Sequence, residues 1–490
     1  ALGASRLALA RQVLIESLAL GLLGGLAGLA VAAWTTRLLE ALVEGSGFAA
    51  GLGARVIGFN FSVALATAVL FGLAPALKAS RADAAAALKD QAAGAAQPQA
   101  RFRQGAVVVQ VALSLLLLVA SGLFARTLYN LRSFDPGFRT ENLLSFGVDP
   151  ALNGYDPERG RAFYEDLTDR LRHLPGVRSV GAATLPLMGG AEMASGVQVE
   201  GYRARQGEDM GTSRNIVSPG YFRTVGIPIV LGREFEERDR AGASKVAVVN
   251  EAFVKRYLDG QNPLGRKLSF GGPKGVLDIE IVGVVKNQKS AELREETKEF
   301  AYTPYAQVED LTPLTFYLLT DRGEASLGPD VRRTVRELDA DLPLFRLQTV
   351  AARREAAVRL ERTVARLASV FAGIATVLAA VGLYGLMAYG VARRTREIGV
   401  RMALGAERSR VFKVVLKEAL LYLTAGLAAG LPLALWLGRF LESQLFGLTG
   451  RDPGVLAAAM MVLTLAVLGA AYVPAWRAAK VDPAVALRYE

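Results

Sequence analysis

The sequence contains no cysteine and one histidine among its 490 residues. Without cysteine, disulfide bonds and thiolate ligands are excluded, and the compartment is left open. The one histidine, His173, rules out a histidine-rich metal site and nearly excludes Ser-His-Asp catalysis. Because it closes an amphipathic helical stretch, where a cation is mildly favourable, we expect a structural role for His173.

A phosphate-binding loop is also missing. The nearest match is GQNPLGRK at 260–267, where the lysine comes one place late, leucine follows it, and Pro263 lies inside the loop. A turn between a helix and a strand explains this segment better. We therefore expect no enzyme, no cofactor and no nucleotide hydrolysis by this chain.

Metal ligands are equally sparse. One acidic cluster is interspersed with arginines, which favours a solvated charged turn and leaves an ion site as the alternative: Glu234, Glu236, Glu237 and Asp239. We expect no metal.

Apolar residues are abundant: hydrophobic residues make up 52% of the chain, and the mean hydropathy is +0.28. The runs 113–124 and 456–473 carry no charge to face water. A helix that crosses a membrane needs about 20 mostly apolar residues. We expect an α-helical integral membrane protein with six spans, at roughly 12–34, 57–77, 105–127, 364–392, 413–437 and 455–474.

The charge distribution predicts the topology. Residues 128–363 carry 33 basic and 34 acidic residues, so the net charge of +11 belongs to the rest of the chain. The segments 1–11, 78–104, 393–413 and 477–490 together hold 17 basic and 6 acidic residues. Since short basic loops stay in the cytoplasm, these segments are expected inside and 128–363 outside. The basic excess thus indicates orientation, and no nucleic-acid-binding module is visible.

The sequence nearly repeats itself. Residues 1–43 match 403–445 at an offset of 402, and PALKASRADAAAALK (75–89) matches PAWRAAKVDPAVALR (474–488) at an offset of 399. We interpret this as two homologous halves, of which the first has lost its front end.

The repeat and the spans together predict five parts. These are a remnant of the first half with two spans (1–77), a cytoplasmic linker (78–104), a span (105–127), an outer domain with its stalk (128–363), and a three-span domain (364–490).

The outer domain is predicted to be α+β. Asp156 and Pro157 open an amphipathic helix, and Asn250 caps another at 251–258. Short β-rich runs follow, at 246–249, 279–285 and 315–320. From Val350 the sequence has no helix breaker before the span at 364, which predicts one continuous stalk helix.

Paired features of the two halves are candidate functional residues. Gly24 and Gly28 match Gly426 and Gly430, and small residues at this spacing let helices approach closely, although lipid-facing glycines are the alternative. Glu16 and Glu418 lie one turn inside their spans. We expect paired interface carboxylates, with Arg11 near Glu16 and Lys413 or Lys417 near Glu418, and keep a coupling role as the alternative.

The basic loop 393–413 carries a short apolar face of Ile398, Met402 and Leu404. Such a segment lies along a membrane surface or docks a soluble partner. A plain basic anchor is the other interpretation, but the recurrence of ALGA at 1–4 favours docking.

These residues resemble the FtsX-like, MacB-type permeases of ABC transporters. The resemblance is carried by RRTREIGVRMALGA (393–406) and the closing 474–488, and in the outer domain by 217–235, 246–258 and 281–287. The two-halves layout is similar to the duplicated permeases of Acidobacteria and related bacteria, here truncated at the front.

The resemblance implies an inner-membrane protein with a MacB-like periplasmic core domain. It also implies that a separate ABC ATPase, which holds ATP and Mg²⁺, contacts Arg394, Arg396, Glu397, Ile398, Gly399, Arg401, Met402, Leu404 and Gly405, with Leu2, Gly3 and Ala4 as the first-half counterpart. Further implied partners are the lipid bilayer, a periplasmic adaptor or outer-membrane protein, and a second permease half or second copy.

Three functions follow. The favoured one is the permease subunit of a mechanotransmission ABC transporter, which exports or extracts amphipathic cargo such as drugs, peptides or lipids. The second is an envelope signalling subunit that activates a periplasmic hydrolase. The third, a membrane-anchored enzyme, is weak because no nucleophile–base pair is visible in the outer domain.

Overall fold

The computed structural model describes residues 6–42, 53–81, 97–271, 275–289, 297–310, 312–404 and 407–480. It divides into two compact units: the first comprises Ala1–Asn130 with Glu361–Glu490, and the second is Leu131–Leu360.

The chain begins with the long helices α1 (Arg6–Leu42), α2 (Ala54–Arg81) and α3 (Gln97–Ser133). The elements that follow are β1 (Leu143–Val148), α4 (Pro157–Arg172), β2 (Val177–Ala183), β3 (Ala194–Val199), β4 (Gly211–Val217), α5 (Tyr221–Val225), β5 (Ile229–Gly232), β6 (Val246–Asn250), α6 (Glu251–Tyr257), β7 (Lys267–Phe270), β8 (Ile279–Val285), β9 (Phe300–Pro304), β10 (Leu314–Thr320), α7 (Gly328–Leu338), β11 (Phe345–Thr349) and α8 (Val350–Ala357). The chain then returns to long helices: α9 (Arg359–Arg393), the short α10 (Thr395–Ala403), α11 (Arg408–Leu441) and α12 (Pro453–Ala479).

The long helices pack through stripes spaced four residues apart. On α3 the buried side chains are Val107, Val111, Leu115, Val119 and Leu123, a spacing that keeps them on one helix face. They join one apolar cluster with α9, α11 and α12. Large apolar side chains elsewhere on these helices remain exposed, which fits contact with lipid: Val377, Leu421, Trp436, Phe440 and Leu465.

Five of the six predicted spans coincide with helices long and apolar enough to cross a bilayer: Ile15–Arg37, Arg101–Ser133, Arg359–Arg393, Arg408–Gln444 and Pro453–Ala479. The sixth lies in α2, of which the described apolar part, Ala54–Val69, is shorter than a span. The expected helical membrane fold is confirmed. Of the predicted linker 78–104, residues 82–96 lie outside the described part of the chain.

The second unit is built on one sheet of eleven strands. Its first part is antiparallel in the order β11-β1-β10-β2, with Leu144 opposite Leu318 and Phe316 opposite Ala182. Helices α4 and α7 cover this part and bury an apolar core against it. A single register pair, Ala183 with Val217, joins β2 to β4 and the remaining strands.

The predicted helix starts of this unit are confirmed. The Asp156 carboxylate accepts a hydrogen bond from the Arg159 amide at 2.8 Å, and the Asn250 side chain accepts one from the Phe253 amide at 2.9 Å. Both are ordinary N-caps, which satisfy amides that have no partner within the helix. The strands predicted at 246–249, 279–285 and 315–320 form as well.

The prediction of one continuous stalk helix is wrong at one residue. α8 ends at Ala357, α9 begins at Arg359, and Val358 between them has φ −104° and ψ 15°. Arg353 and Val358 are both buried, yet five residues place them about 140° apart on a regular helix. The interruption therefore lies at a buried residue, in a segment that the sequence alone would continue as one helix.

Candidate functional site

The basic loop between α9 and α11 folds as the short helix α10. The residues of its predicted apolar face differ in exposure: Leu404 is exposed, whereas Ile398 and Met402 lie against the protein. Ile398 and Met402 are half-buried against the apolar cluster of α3, α9, α11 and α12, and Gly399 is buried between them. Ile398 and Met402 therefore pack α10 on the helix bundle, and the contact of Ile398, Gly399 and Met402 with an ATPase stays a prediction.

The surface that α10 leaves open is formed by other residues. Val400 is 39% exposed, and Leu404, just after the helix, is 83% exposed. Glu397 and Arg401, four residues apart, pair at 2.5 Å beside them. The accessible face thus combines two apolar side chains with an exposed ion pair.

Glu418 is linked to α10, not to the lysines predicted beside it. Nη1 of Arg394 donates to Oε2 of Glu418 at 3.3 Å, and the Tyr422 hydroxyl donates to Oε1 of the same carboxylate at 3.1 Å. Sequence reasoning missed Tyr422, although its place one helical turn after Glu418 could have suggested the contact. The pair joins the start of α10 to α11.

Gly426 and Gly430 pack α11 tightly against α3. A Cβ atom on Gly426 would lie 2.4 Å from Cγ1 of Val111, and one on Gly430 would lie 2.9 Å from Cα of Ala112. Any side chain at either position would force the two helices apart. The predicted close approach at this pair is present, and both helices belong to the predicted second half.

The matching glycines of α1 behave differently. No atom of the described residues lies within 4 Å of a Cβ placed on Gly24, so Gly24 makes no helix contact there. The packing face is instead Gly21, Gly25 and Gly28: a Cβ on Gly21 would lie 2.5 Å from Cβ of Ala68, and one on Gly28 would lie 3.2 Å from Oδ1 of Asn60. Gly24 makes no such contact because it lies about 100° around the helix from Gly25, on a side that faces away from α2. This fits the lipid-facing alternative.

Glu16 is exposed on α1 and accepts a weak contact from the Gln12 amide at 3.5 Å, in place of the predicted Arg11. The remaining predicted residues cannot be placed: Leu2, Gly3, Ala4 and Gly405 lie outside the described residues, as does the side chain of Arg396.

The starts of the matching helices keep the offsets of the repeat. α1 begins at Arg6 and α11 at Arg408, and α2 begins at Ala54 and α12 at Pro453. The duplication itself stays a prediction.

His173 and the acidic cluster of the outer unit make structural contacts. His173 ends α4, with Nδ1 2.8 Å from the Asp169 carbonyl oxygen. In the acidic cluster, Asp239 is buried and bound by both terminal nitrogens of Arg233, at 2.7 and 2.9 Å. Within the described residues, no group of three or more acidic or histidine side chains could hold a metal ion.

Two family models match the chain. The model of the FtsX-like permease C-terminal domain matches residues 1–84 and 369–483, and the model of the MacB-like periplasmic core domain matches residues 108–370. The matched domains account for the long helices and for the mixed sheet between them.

Curated relatives match part of the chain. The pyoverdine export ATP-binding/permease protein PvdT of Pseudomonas entomophila is 28% identical over 272 residues, which are 54% of this chain and 41% of that protein. The macrolide export ATP-binding/permease protein MacB of Agrobacterium fabrum is 28% identical over 285 residues, which are 55% of this chain and 42% of that protein. The chain thus spans about two fifths of the length of these relatives.

Among solved structures, the periplasmic region of MacB from Actinobacillus actinomycetemcomitans aligns with 47% of this chain and 97% of its own, at 16% identity and a TM-score of 0.31.

Proposed function

This chain belongs to the FtsX-like permeases with a MacB-like periplasmic core domain, and we propose that it is the permease subunit of a mechanotransmission ABC exporter. It is a multi-pass inner-membrane protein with a large extracytoplasmic domain. In the proposed function a separate ATPase holds ATP and Mg²⁺, and this chain turns the movement of that partner into a change on the outer side.

The observation that carries the proposal is the geometry of α10. This helix is seated on the bundle by Ile398 and Met402 while Val400 and Leu404 stay exposed. A short helix between two spans that buries one apolar face and leaves a second one open is suited to docking a soluble partner. We propose that Val400 and Leu404, flanked by Glu397 and Arg401, enter a groove of the ATPase.

A mechanical path leads from this surface into the bundle. Arg394 ties the start of α10 to Glu418 of α11, and Gly426 and Gly430 leave no free space between α11 and α3. Close-packed helices shift as bodies and do not deform continuously. A displacement of α10 would therefore reach α3, one of the two helices through which the chain passes to residues 131–360.

The relatives are named for macrolide export and pyoverdine export, which supports amphipathic cargo. We propose that this permease likewise moves or extracts an amphipathic drug, peptide or lipid, working with a periplasmic adaptor or outer-membrane protein. A second permease half would complete the transporter.

The experiment is co-purification of the full chain from its native membrane, with ABC ATPases identified by mass spectrometry and by ATP hydrolysis in the eluate. The chain should carry such an ATPase, and the double variant Val400→Asp/Leu404→Asp should lose at least tenfold of it. Burying a carboxylate in an apolar groove costs free energy, and both substitutions add such a carboxylate to the proposed contact with the ATPase.

Leu152→Asp is the matched control, because Leu152 is also exposed, at 60%, but lies in the outer unit. It should co-purify with as much ATPase as the unsubstituted chain. Equal recovery with the α10 double variant would refute the docking role. Capture of a periplasmic hydrolase without any ATPase would instead support the signalling function.

A further inference from the structure

Six strands of the outer unit close into a ring. β4 pairs with β3 on one edge and, in parallel, with β9 on the other. The circuit continues through β7, β8 and β6 back to β9. Apolar side chains fill the interior, among them Val197, Leu268, Ile281 and Ala301. The ring is therefore a small closed barrel whose middle is packed with side chains.

The two ends of this barrel differ. Helix α6 directly follows the end of β6 and covers that end, where the Tyr257 hydroxyl donates to the Gly211 carbonyl at 2.7 Å. At the other end a cavity of about 320 Å³ remains, formed where β6 and β8 begin and where β7 and β9 end. Mouths of barrels are common ligand sites.

The lining of the cavity is both polar and apolar. The polar residues are Arg214, Lys245, Ser269, Asp278, Thr303 and Gln307, and the apolar residues include Phe270, Val276 and Ile279. Its volume lies at the lower end of the range of ligand pockets, roughly 300–1,000 Å³, and therefore suits a small molecule.

Arg214 is a partly buried cation that lines this cavity. Its guanidinium carbon lies 4.5 Å from the centre of the Phe270 ring, and its Nη2 donates to Oγ1 of Thr303 at 3.2 Å. Among the residues that the structure describes, no carboxylate lies within ion-pair distance of it. Asp278, the one carboxylate among the described lining residues, pairs with Lys245 at 2.7 Å.

A partly buried charge without a partner is unusual, because the lost hydration is ordinarily repaid by an opposite charge. Burial lowers the pKa of Arg214, and no neighbouring acid restores it. The described surroundings of Arg214 would thus favour an anion. Nε and Nη2 of Arg214 both contact Oγ1 of Thr303, at 3.4 and 3.2 Å, which leaves Nη1 and the second N–H of Nη2 as the donors that a carboxylate would engage.

We propose that this barrel mouth binds the carboxylate of a small amphipathic organic anion, with Arg214 as its anchor. The carboxylate lies against Arg214, with Thr303 and Gln307 beside it, and the apolar remainder contacts Phe270, Val276 and Ile279. This binding needs neither ATPase nor transport, so it stands or falls independently of the proposed export function.

The test is equilibrium dialysis of the full chain in lipid nanodiscs, with empty nanodiscs subtracted. Three probes separate the features of the ligand: hexanoate carries charge and chain, hexan-1-ol carries the chain alone, and acetate carries the charge alone. Hexanoate should bind saturably and at least tenfold more tightly than either of the others. No saturable binding of hexanoate, or equal binding of the alcohol, would overturn the proposal.

Two variants locate the site. Arg214→Gln should weaken hexanoate binding by about tenfold or more, the usual worth of a charge-assisted hydrogen bond pair. The matched control Arg203→Gln alters an exposed arginine in the β3–β4 loop of the same barrel and should leave binding unchanged.

Val276→Trp keeps the test decisive should Arg214→Gln impair folding. Val276 is 76% exposed at the cavity, so a larger side chain there fills the mouth without entering the core. Hexanoate binding should be lost. Retained binding in Val276→Trp, or in a folded Arg214→Gln variant, would contradict the assignment.

Discussion

Arg394 illustrates how one side chain can carry a mechanical role with little effect on stability. Its ion pair with Glu418 is partly exposed, at 56% and 28% of the two side chains. Exposed pairs of this kind contribute at most about 1 kcal/mol, because water screens them. The pair nevertheless fixes where α10 sits on α11, so its loss should be felt locally.

Removing either partner should loosen α10. Arg394→Gln or Glu418→Gln is expected to speed amide hydrogen exchange in Thr395–Ala403 by roughly fivefold, the effect of about 1 kcal/mol of local opening. The double variant should exchange no faster than either single variant, since both remove the same contact.

Arg410→Gln is the control, because Arg410 lies exposed in the first turn of α11 and pairs with no acidic residue in the described structure. Additive effects of the Arg394 and Glu418 changes, or unchanged exchange in α10, would contradict the linkage.

Asp239 is the residue whose ionisation should matter most in the outer unit. Burial alone would raise its pKa, but hydrogen bonds from Arg233 and the Glu236 amide, together with the positive charges of Arg233 and Arg238, hold the pKa below its usual range. Since the folded pKa is the lower one, this stabilisation is complete above the unfolded value of about 3.9 and is lost as pH falls through the folded value.

Chemical unfolding of the solubilised chain should therefore show an acid-sensitive outer unit. Asp239→Asn should flatten the decline in unfolding free energy below about pH 4. Arg233→Met should cost about 3 kcal/mol at neutral pH, because it leaves a buried carboxylate unpaired. Asp166→Asn is the control, since Asp166 pairs with Arg170 on an exposed helix surface. An unchanged acid slope in Asp239→Asn would contradict the assignment.

The two glycines of α11 set the spacing of the helices that surround them. Gly426→Leu should lower the melting temperature of the solubilised chain through overpacking of about 1–3 kcal/mol or more, because its first carbon already overlaps Val111. Gly469→Leu in α12 is the matched control, since no described atom lies within 4 Å of a Cβ there. Equal melting temperatures of the two variants would refute close packing of α11 on α3.

At the level of helices and strands, the sequence predicts features that depend on neighbouring residues, but not those that depend on long-range packing. Asp156 and Asn250 indicate helix starts because each caps the amide of the residue three places later in the sequence. The interruption at Val358 has no local signal, because the segment from Val350 contains neither proline nor glycine before Gly373. The sequence could not decide between helix packing and lipid contact for Gly24 for a related reason. The repeat fixes its position on α1, but the face of α1 that meets α2 depends on where α2 lies.

The same distinction applies to the candidate site. The sequence predicts a basic amphipathic loop at 393–413, and α10 forms within it. The sequence does not separate the half-buried Ile398 and Met402 from the exposed Leu404, because helix periodicity marks an apolar side without saying which structure covers it. The sequence likewise gives no hint of Arg214, whose meaning appears only when six strands close into a barrel.

At the scale of the whole molecule, charge asymmetry and hydropathy were sufficient for the class of the protein. The class follows from the hydropathy and charge of many residues together, so a wrong expectation about the packing of one residue does not change it. The family match to residues 108–370 then identifies the region between the spans as extracytoplasmic. The partners and cargo depend on surfaces of other molecules, so they remain proposals.

The most direct test asks on which side of the membrane α10 lies. The chain has no cysteine, so single cysteines can be introduced without background: Leu404→Cys at α10, and Leu152→Cys in the outer unit. Both parent side chains are exposed, which makes each new thiol accessible to a membrane-impermeant maleimide. In spheroplasts we predict labelling at 152 alone, and at 404 only after the membrane is permeabilised. Labelling at 404 in sealed spheroplasts would place α10 outside, where no cytoplasmic ATPase could drive it.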